Sequence, residues 1–173
     1  MKLLFVCSGN TCRSPMAEAL TRAALAQVGM SGVTVVSAGT DAFTGDRASL
    51  NARAAMQERG FDLGAHRARR LDRQVVEEAD LILTMTSRHK DRVVRLAPRA
   101  IEKTFTLREF TSGEKLDVGD PFGQSLETYR RTAEELAGEV ERVVRRLVLL
   151  HGQGNPPGGR STGGQADDEG GHP

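Results

Sequence analysis

The feature that most constrains the fold is a short segment near the start of the chain, where an apolar run ends in a polar loop. Residues 3–6 are all apolar, Cys7 follows them, and Arg13 comes after five further residues that are mostly small and polar. Ser14 and Pro15 stand next, and these two residue types favour the first positions of a helix. We therefore expect a buried strand, a tight loop and a helix to follow one another here.

The rest of the chain alternates strand patterns with amphipathic helix patterns. We predict strands at residues 2–6, 33–36, 79–85 and 101–107. We predict helices that begin at Ser14, span 47–59 and 72–79, run from Thr86 to Ala97, and extend from Ser125 to about Leu150. This alternation favours a parallel sheet with helices on both faces. Such sheets bind ligands at the carboxyl ends of their strands, which is where the Cys7 loop is expected to lie.

The composition changes near the C-terminus, after the last predicted helix. Of the 22 residues from Gly152 to Pro173, eight are glycine and three are proline, and none is an apolar residue larger than alanine. Such a segment cannot bury enough apolar surface to offset the entropy cost of ordering it. The sequence therefore predicts one domain over residues 1–151 and a disordered tail over 152–173.

Charge and aromatic content exclude several classes of function. The net charge is +1, aromatic residues make up 4% of the chain and there is no tryptophan, so we expect neither nucleic acid nor a membrane as a partner. The opening apolar run is shorter than the ~7–15 residues of a signal peptide. The two cysteines, Cys7 and Cys12, cannot build a disulfide framework, so a reducing cytoplasm is the predicted location.

The loop from Cys7 to Arg13 contains the groups needed to hold an oxyanion next to a nucleophile. Cysteine reacts as its thiolate, and a helix N-terminus together with the guanidinium of Arg13 favours that anion, so we expect a lowered pKa for the thiol. Backbone N–H groups between Ser8 and Ser14 can converge on a phosphate, and Arg13 can donate two N–H groups to its oxygens. From spacing alone, an inert buried cysteine beside a glycine-containing turn is an equally good interpretation.

Two other kinds of site fit this loop poorly. A nucleotide-binding loop needs Gly-Lys-Ser/Thr or the pattern Gly-x-Gly-x-x-Gly, and the segment has neither. A metal site needs further ligands near Cys7 and Cys12, whereas the four histidines are scattered along the chain. We therefore expect neither a metal nor another cofactor.

A candidate general acid lies far along the chain. A thiolate that attacks phosphorus needs such an acid to protonate the leaving group. The best candidate is Asp120, which stands beside Pro121 in a loop just before the last predicted helix. Asp117 is the alternative acid, and Asp-Pro is in itself also an ordinary turn at a helix entry.

These residues resemble the low-molecular-weight protein tyrosine phosphatase family over nearly all of residues 1–150. The resemblance rests on the segment from Cys7 to Glu18, in which a cysteine, five residues and an arginine open the first strand–helix unit, and on Asp120-Pro121. Further similar segments are Ser37-Ala38-Gly39-Thr40, the stretch around His66, and Ala79-Asp80-Leu81-Ile82. The family implies a single-domain, Rossmann-like α/β sandwich with a four-stranded parallel sheet and the phosphate loop after the first strand.

The resemblance also implies a role for each residue of the site. Cys7 would be the nucleophile, Arg13 would bind the phosphate, and Asp120 would protonate the leaving group and then activate water. The phosphate-binding loop would also include Ser8, Gly9, Asn10, Thr11, Cys12 and Ser14. Within it, Asn10 would maintain the loop conformation and Ser14 would stabilise the thiolate. His66 would reach the Asn10 network or be an ordinary surface histidine, and Cys12 would protect Cys7 through a reversible disulfide.

Thr11 and Phe122 distinguish this chain from tyrosine-specific members, which usually have an aliphatic residue and a tyrosine at these positions. The two residues resemble the branch that acts on phosphoarginine in proteins. A hydroxyl at Thr11 can meet a polar guanidinium leaving group, and the ring of Phe122 can lie over that cation. We therefore expect a phosphorylated protein as the substrate, with phosphoarginine ahead of phosphotyrosine.

Two further functions are alternatives, an arsenate reductase and a silent phosphate-binding module. An arsenate reductase with this loop relays a disulfide through further cysteines, and the chain has none after Cys12. A silent module would be expected to have lost Cys7, Arg13 or Asp120, and all three are present. For the oligomeric state, a monomer is the simplest expectation.

Overall fold

The computed structural model describes residues 1–152, in which a parallel sheet separates two layers of helices. The strands are β1 (Lys2–Cys7), β2 (Thr34–Gly39), β3 (Leu81–Thr84) and β4 (Thr104–Thr106). Their order in the sheet is β2-β1-β3-β4, and every neighbouring pair is parallel. The predicted α/β fold with a four-stranded parallel sheet is confirmed.

The helices within the described residues are α1 (Arg13–Gln27), α2 (Leu50–Glu58), α3 (Arg73–Glu78), α4 (Ser87–Leu96), α5 (Leu107–Ser112) and α6 (Leu126–Gly152). Successive side chains of β1 point to opposite faces of the sheet. Leu3 and Phe5 pack in one core cluster with residues of α1, α2, α5 and α6. Leu4 and Val6 pack in a second cluster with residues of α3 and α4. Because both faces are covered, β1 is continuously apolar from Leu3 to Val6 rather than alternating.

The sheet places the Cys7 loop where β1 and β2 end side by side. The strand β2 lies on one side of β1 and β3 on the other, so the strand order reverses at β1. Cys7 and Gly39 are partners in the parallel register. A side chain at Gly39 would collide with the carbonyl oxygen of Ser8. The end of β2 can therefore pack against the loop only because residue 39 is glycine.

Several boundaries differ from the sequence prediction. Helix α1 begins at Arg13 and has Cys12, not Ser14, at its N-cap position. The predicted helix start at Ser14 is therefore one residue late, and the Ser14 hydroxyl contacts the sulfur of Cys7 instead of capping the helix. The strand β4 is shorter than predicted, because a 3₁₀ helix occupies Pro98–Lys103.

Helix α5 is absent from the sequence prediction. Thr106 and Glu109 form a capping box at its start, and Gly113, in a left-handed conformation, ends it. The helix has six residues, which are too few to show a helical period in the sequence.

The last helix, α6, ends at Gly152. Apart from that glycine, the predicted disordered tail lies outside the described residues. Within residues 1–152, no helix combines the length and the apolar character needed to cross a membrane.

Candidate active site

The loop between β1 and α1 is organised by Asn10, which is fully buried and has a φ of 54°. Asparagine tolerates this left-handed conformation better than most residues. Its Oδ1 accepts from the backbone N–H of Arg69 at 2.8 Å, and its Nδ2 donates to Oγ of Ser14 at 2.8 Å and Oγ of Ser37 at 2.9 Å. Nε2 of His66 donates to the carbonyl oxygen of Asn10 at 2.7 Å. The interpretation in which His66 reaches the Asn10 network is therefore confirmed.

The buried sulfur of Cys7 lies 2.9 Å from Oγ of Ser14. Nδ2 of Asn10 already donates to the same Ser14 oxygen. A hydroxyl has one proton to donate, so Ser14 can direct its own proton to a Cys7 thiolate. The loop thus holds the sulfur at a fixed point and offers a donor to its anionic form.

Burial raises the pKa of the Cys7 thiol above its ordinary value. Hydrogen bonds from Ser14, the charge of Arg13 and the backbone at Asn10 act in the opposite direction. The expectation of a lowered pKa for the Cys7 thiol is wrong, because the loss of hydration on burial outweighs the groups that stabilise the thiolate.

Arg13 connects the loop to the segment that precedes α6. Its side chain is 3% exposed, its Nη1 donates to the carbonyl oxygen of Val118 at 2.9 Å, and its Nη2 lies 3.0 Å from Oδ2 of Asp120. Its Nε is buried and has no hydrogen-bond partner in the described part of the chain. A buried N–H group without an acceptor is costly, so this guanidinium retains a donor for an anion.

Cys7 lies in a pocket of about 230 Å³. The residues that line it are Cys7, Ser8, Gly9, Thr11, Cys12, Arg13, Asp41, Asp120 and Phe122. Oδ1 of Asp120 accepts from the backbone N–H of Phe122 at 3.1 Å, so these two residues share one turn. Phe122 is 71% exposed. The pocket therefore brings together the predicted nucleophile, arginine, acid and specificity residues.

The alternative acid, Asp117, is placed differently. Its Oδ1 accepts from the backbone N–H of Ser87 at 2.9 Å, at the first turn of α4. Asp117 lines an adjoining groove of about 550 Å³ but not the pocket that contains Cys7. Asp120 lines both, so its carboxylate is the better placed for proton transfer to a group at Cys7.

Cys12 is buried and, like Cys7, has a free thiol. Its sulfur lies 3.3 Å from the hydroxyl of Tyr129 and 3.4 Å from Oγ of Ser49. Burial, together with the contact to Cys12, raises the pKa of Tyr129 to about 12. Tyr129 lies within the helix predicted from Ser125 to about Leu150, and nothing in the local sequence indicates its contact with the loop.

Sequence reasoning also missed His89, a buried residue of α4. Its Nε2 lies 2.8 Å from Oγ of Ser8, and its Nδ1 lies 3.0 Å from Oγ1 of Thr86. Burial and, next, the charge of Arg13 lower its pKa to about 4. The imidazole is therefore neutral near pH 7 and can take part in both hydrogen bonds without charge. No local pattern in the sequence connects His89 with the loop.

The site can hold a phosphoryl group between a sulfur nucleophile and a carboxyl group. The thiol of Cys7, the guanidinium of Arg13 and the carboxylate of Asp120 meet there, with backbone N–H groups at the start of α1. Across residues 1–152, no group of three or more His, Cys, Asp or Glu side chains is arranged to hold a metal ion.

Comparison with known proteins gives consistent results. A family model described as "Low molecular weight phosphotyrosine protein phosphatase" matches residues 2–149. A protein-arginine-phosphatase of Geobacillus stearothermophilus is 44% identical over 146 residues, which are 84% of this chain and 95% of that protein.

Two solved structures are also similar. The YwlE arginine phosphatase from Geobacillus stearothermophilus has a TM-score of 0.83 and 40% identity, covering 90% of this chain and 97% of its own. A mutant of YwlE arginine phosphatase with a phosphorylated active site serine has a TM-score of 0.82 and 39% identity. The match covers 85% of this chain and 95% of that chain.

Proposed function

The chain belongs to the low molecular weight phosphotyrosine protein phosphatase family, and on that basis we propose that it removes phosphate from arginine side chains of proteins through a phosphocysteine at Cys7. Membership of the family makes it a cysteine-dependent protein phosphatase. The roles of the individual site residues and the choice of phosphoarginine are the proposal. Phosphotyrosine is the alternative substrate.

In the first step, the thiolate of Cys7 attacks phosphorus, so that an S–P bond forms and the bond from phosphorus to the leaving group breaks. The guanidinium of Arg13 and the N–H groups of the loop bind the phosphoryl oxygens. Asp120 donates a proton to the departing nitrogen or oxygen. An incoming phosphate competes with Asp120 for Arg13, which frees the carboxyl group to carry that proton.

In the second step, water attacks phosphorus and the S–P bond breaks. Asp120, now a carboxylate, takes the proton of this water. The sulfur leaves as a thiolate, which the Ser14 hydroxyl stabilises at 2.9 Å. Inorganic phosphate is released, and neither step requires a metal or a redox partner.

The observation that carries this mechanism is the contact between Arg13 and Asp120. Nη2 of Arg13 and Oδ2 of Asp120 lie 3.0 Å apart, so the proposed acid contacts the guanidinium that is proposed to bind the phosphoryl group. The unpartnered Nε of Arg13 adds a buried donor in the same place. Together these two features support a site that combines anion binding at Arg13 with proton transfer from Asp120.

The choice of phosphoarginine is supported by the leaving group that the pocket suits. Thr11 and Asp120 line the pocket and offer oxygen atoms to N–H donors, and Phe122 offers an exposed ring. A guanidinium has several N–H groups and a planar cationic face. The relatives named protein-arginine-phosphatase, at 44% and 40% identity, support the same choice.

The partner implied by the family is a phosphorylated protein. We further propose that the enzyme acts in the cytoplasm, because Cys7 must stay reduced to serve as nucleophile, and that it needs no second subunit, because Cys7, Arg13 and Asp120 come from one chain. We also propose that Cys12 is the thiol that can form a reversible disulfide with Cys7.

The mechanism is tested by trapping the phosphoenzyme. In Asp120→Asn with p-nitrophenyl phosphate, the good leaving group departs without an acid, whereas hydrolysis of the intermediate lacks its base. We expect a burst of p-nitrophenol and one phosphoryl group on the peptide that contains Cys7, detected by mass spectrometry after a rapid quench. The matched control Cys7→Ala should show neither. A burst with the phosphoryl group on another residue would contradict the proposal.

A further inference from the structure

A second carboxylate, that of Asp41, stands at the pocket that contains Cys7. Asp41 and Asp120 both line this pocket, and Asp41 follows the end of β2. We propose that Asp41 binds the guanidinium group of the substrate arginine and thereby selects phosphoarginine over phosphotyrosine. This inference rests on the proposed function and adds a specificity residue to it.

The backbone fixes Asp41 relative to the loop. Its N–H donates to the carbonyl oxygen of Ser8 at 2.9 Å, and the N–H of Thr40 donates to the carbonyl oxygen of Cys7 at 2.9 Å. Gly39 lies so close to Ser8 that a side chain there would collide with the loop. The Cα of Asp41 therefore keeps a constant position with respect to the nucleophile, as a specificity residue requires.

The Asp41 carboxylate still has acceptor capacity. Its Oδ2 accepts from Oγ1 of Thr40 at 2.7 Å. Its Oδ1 lies 3.4 Å from Nη2 of Arg92, in a pair whose side chains are 62% and 48% exposed. Such a long, exposed ion pair contributes little and exchanges readily. A carboxylate has about four acceptor sites, so a second guanidinium can bind beside Arg92 or replace it.

The chemistry of the leaving group explains how Asp41 can discriminate. The S–P bond forms as the P–N bond breaks, and Asp120 protonates the departing nitrogen. The other guanidinium nitrogens keep their N–H groups, and the product carries a full positive charge, which an ionised Asp41 stabilises as it develops. A departing tyrosine has no N–H group and develops negative charge on oxygen, so Asp41 offers it no stabilisation.

The test compares wild type, Asp41→Asn and the matched control Asp91→Asn. Asp91 lines the adjoining groove but not the pocket of Cys7, so its substitution removes the same charge without removing the proposed contact. Each protein is assayed for kcat/KM on two peptides that differ only in carrying phosphoarginine or phosphotyrosine. For Asp41→Asn we expect a loss of about 10- to 100-fold on phosphoarginine and no loss on phosphotyrosine. Asp91→Asn should keep the wild-type ratio, and thermal melts are used to check that all three proteins are folded.

The following outcomes would overturn the inference. If Asp41→Asn lowers both activities equally, or neither, then Asp41 does not select the substrate. If Asp91→Asn changes the ratio as much as Asp41→Asn, the effect is that of net charge. A wild type without activity on the phosphoarginine peptide would overturn the proposed substrate itself, whereas an active wild type with an unchanged ratio in Asp41→Asn would overturn only the role of Asp41.

Discussion

The sulfur of Cys7 and Oγ of Ser14 lie 2.9 Å apart in the buried part of the loop, and Asn10 fixes the direction of the proton between them. Asn10 accepts from the N–H of Arg69 through Oδ1, so its Nδ2 must face Ser14 and Ser37. Ser14 therefore accepts from Asn10 and donates to the thiolate. The loop is thus set for an anionic sulfur even though burial raises the thiol pKa.

Removal of the Ser14 hydroxyl is expected to raise the pKa of the Cys7 thiol further. Ser14 is the largest of the groups that lower this pKa, so Ser14→Ala should leave less thiolate at a given pH. We expect kcat/KM to fall about 10- to 100-fold near pH 7, and the acid limb of its pH profile to move to higher pH.

The matched control for this variant is Thr21→Val. Thr21 is a buried hydroxyl residue of the same helix, and its Oγ1 donates to the carbonyl oxygen of Ala17. Its substitution should leave the pH profile in place. An unchanged acid limb in Ser14→Ala would contradict the role given to Ser14.

Asn10 is expected to act through its amide as well as its backbone. In Asn10→Ala, the N–H of Arg69 loses its acceptor, at a cost of about 1–3 kcal/mol for a buried group left unpaired, and Ser14 and Ser37 each lose one donor. Both the melting temperature and kcat should fall. Asn10→Gly keeps access to the left-handed conformation and removes only the amide. If Asn10→Gly had wild-type activity, the amide network would not be needed.

The dependence of kcat/KM on the leaving group distinguishes the two candidate acids, Asp120 and Asp117. Asp120→Asn should lower kcat/KM by about 10²- to 10⁴-fold for aryl phosphates with poor leaving groups and far less for p-nitrophenyl phosphate. Asp117→Asn should keep the wild-type dependence of kcat/KM on the leaving group, because the Asp117 carboxylate accepts a hydrogen bond from the backbone N–H of Ser87. If kcat/KM depends steeply on the leaving group in Asp117→Asn and not in Asp120→Asn, then Asp117 and not Asp120 is the general acid.

His89 is expected to remain neutral far below the pH at which histidines ordinarily titrate. Its pKa falls from 6.5 to about 4 on folding. Between these values the unfolded chain binds the proton and the folded chain does not, so the free energy of unfolding should decrease as the pH falls through this window. Imidazole NMR signals of His89 that titrate near pH 6.5 would contradict this, and His89→Asn should flatten the pH dependence of stability between pH 6.5 and pH 4.

The fold could be predicted largely from the sequence, because its strands are short apolar runs and its long helices have a clear helical period. The continuous apolar run of β1 and the caps at Thr86 and Asp72 are local signals. Helix α5 could not be predicted from periodicity because it has only six residues and depends on its capping box. The start of α1 was predicted one residue late because the Ser14 hydroxyl binds the sulfur of Cys7 instead of capping the helix.

The candidate site was predictable where its residues are close in sequence or resemble a family motif. Cys7, Arg13 and Asp120 meet in the structure as the sequence indicated. His89, Tyr129 and Asp41 were not found, because each reaches the loop only through the packing of α4, α6 or the end of β2. The direction of the Cys7 pKa shift was also missed, since the motif does not show that burial outweighs the groups that stabilise the thiolate.

The most direct test of the proposed function compares kcat/KM for matched phosphoarginine and phosphotyrosine peptides in wild type and Thr11→Ile. Thr11 lines the pocket of Cys7, and an isoleucine there removes the hydroxyl while keeping a branched side chain. The proposal predicts that wild type prefers phosphoarginine and that Thr11→Ile shifts the ratio toward phosphotyrosine by about tenfold or more. A wild type that prefers phosphotyrosine, or a ratio that Thr11→Ile leaves unchanged, would contradict it.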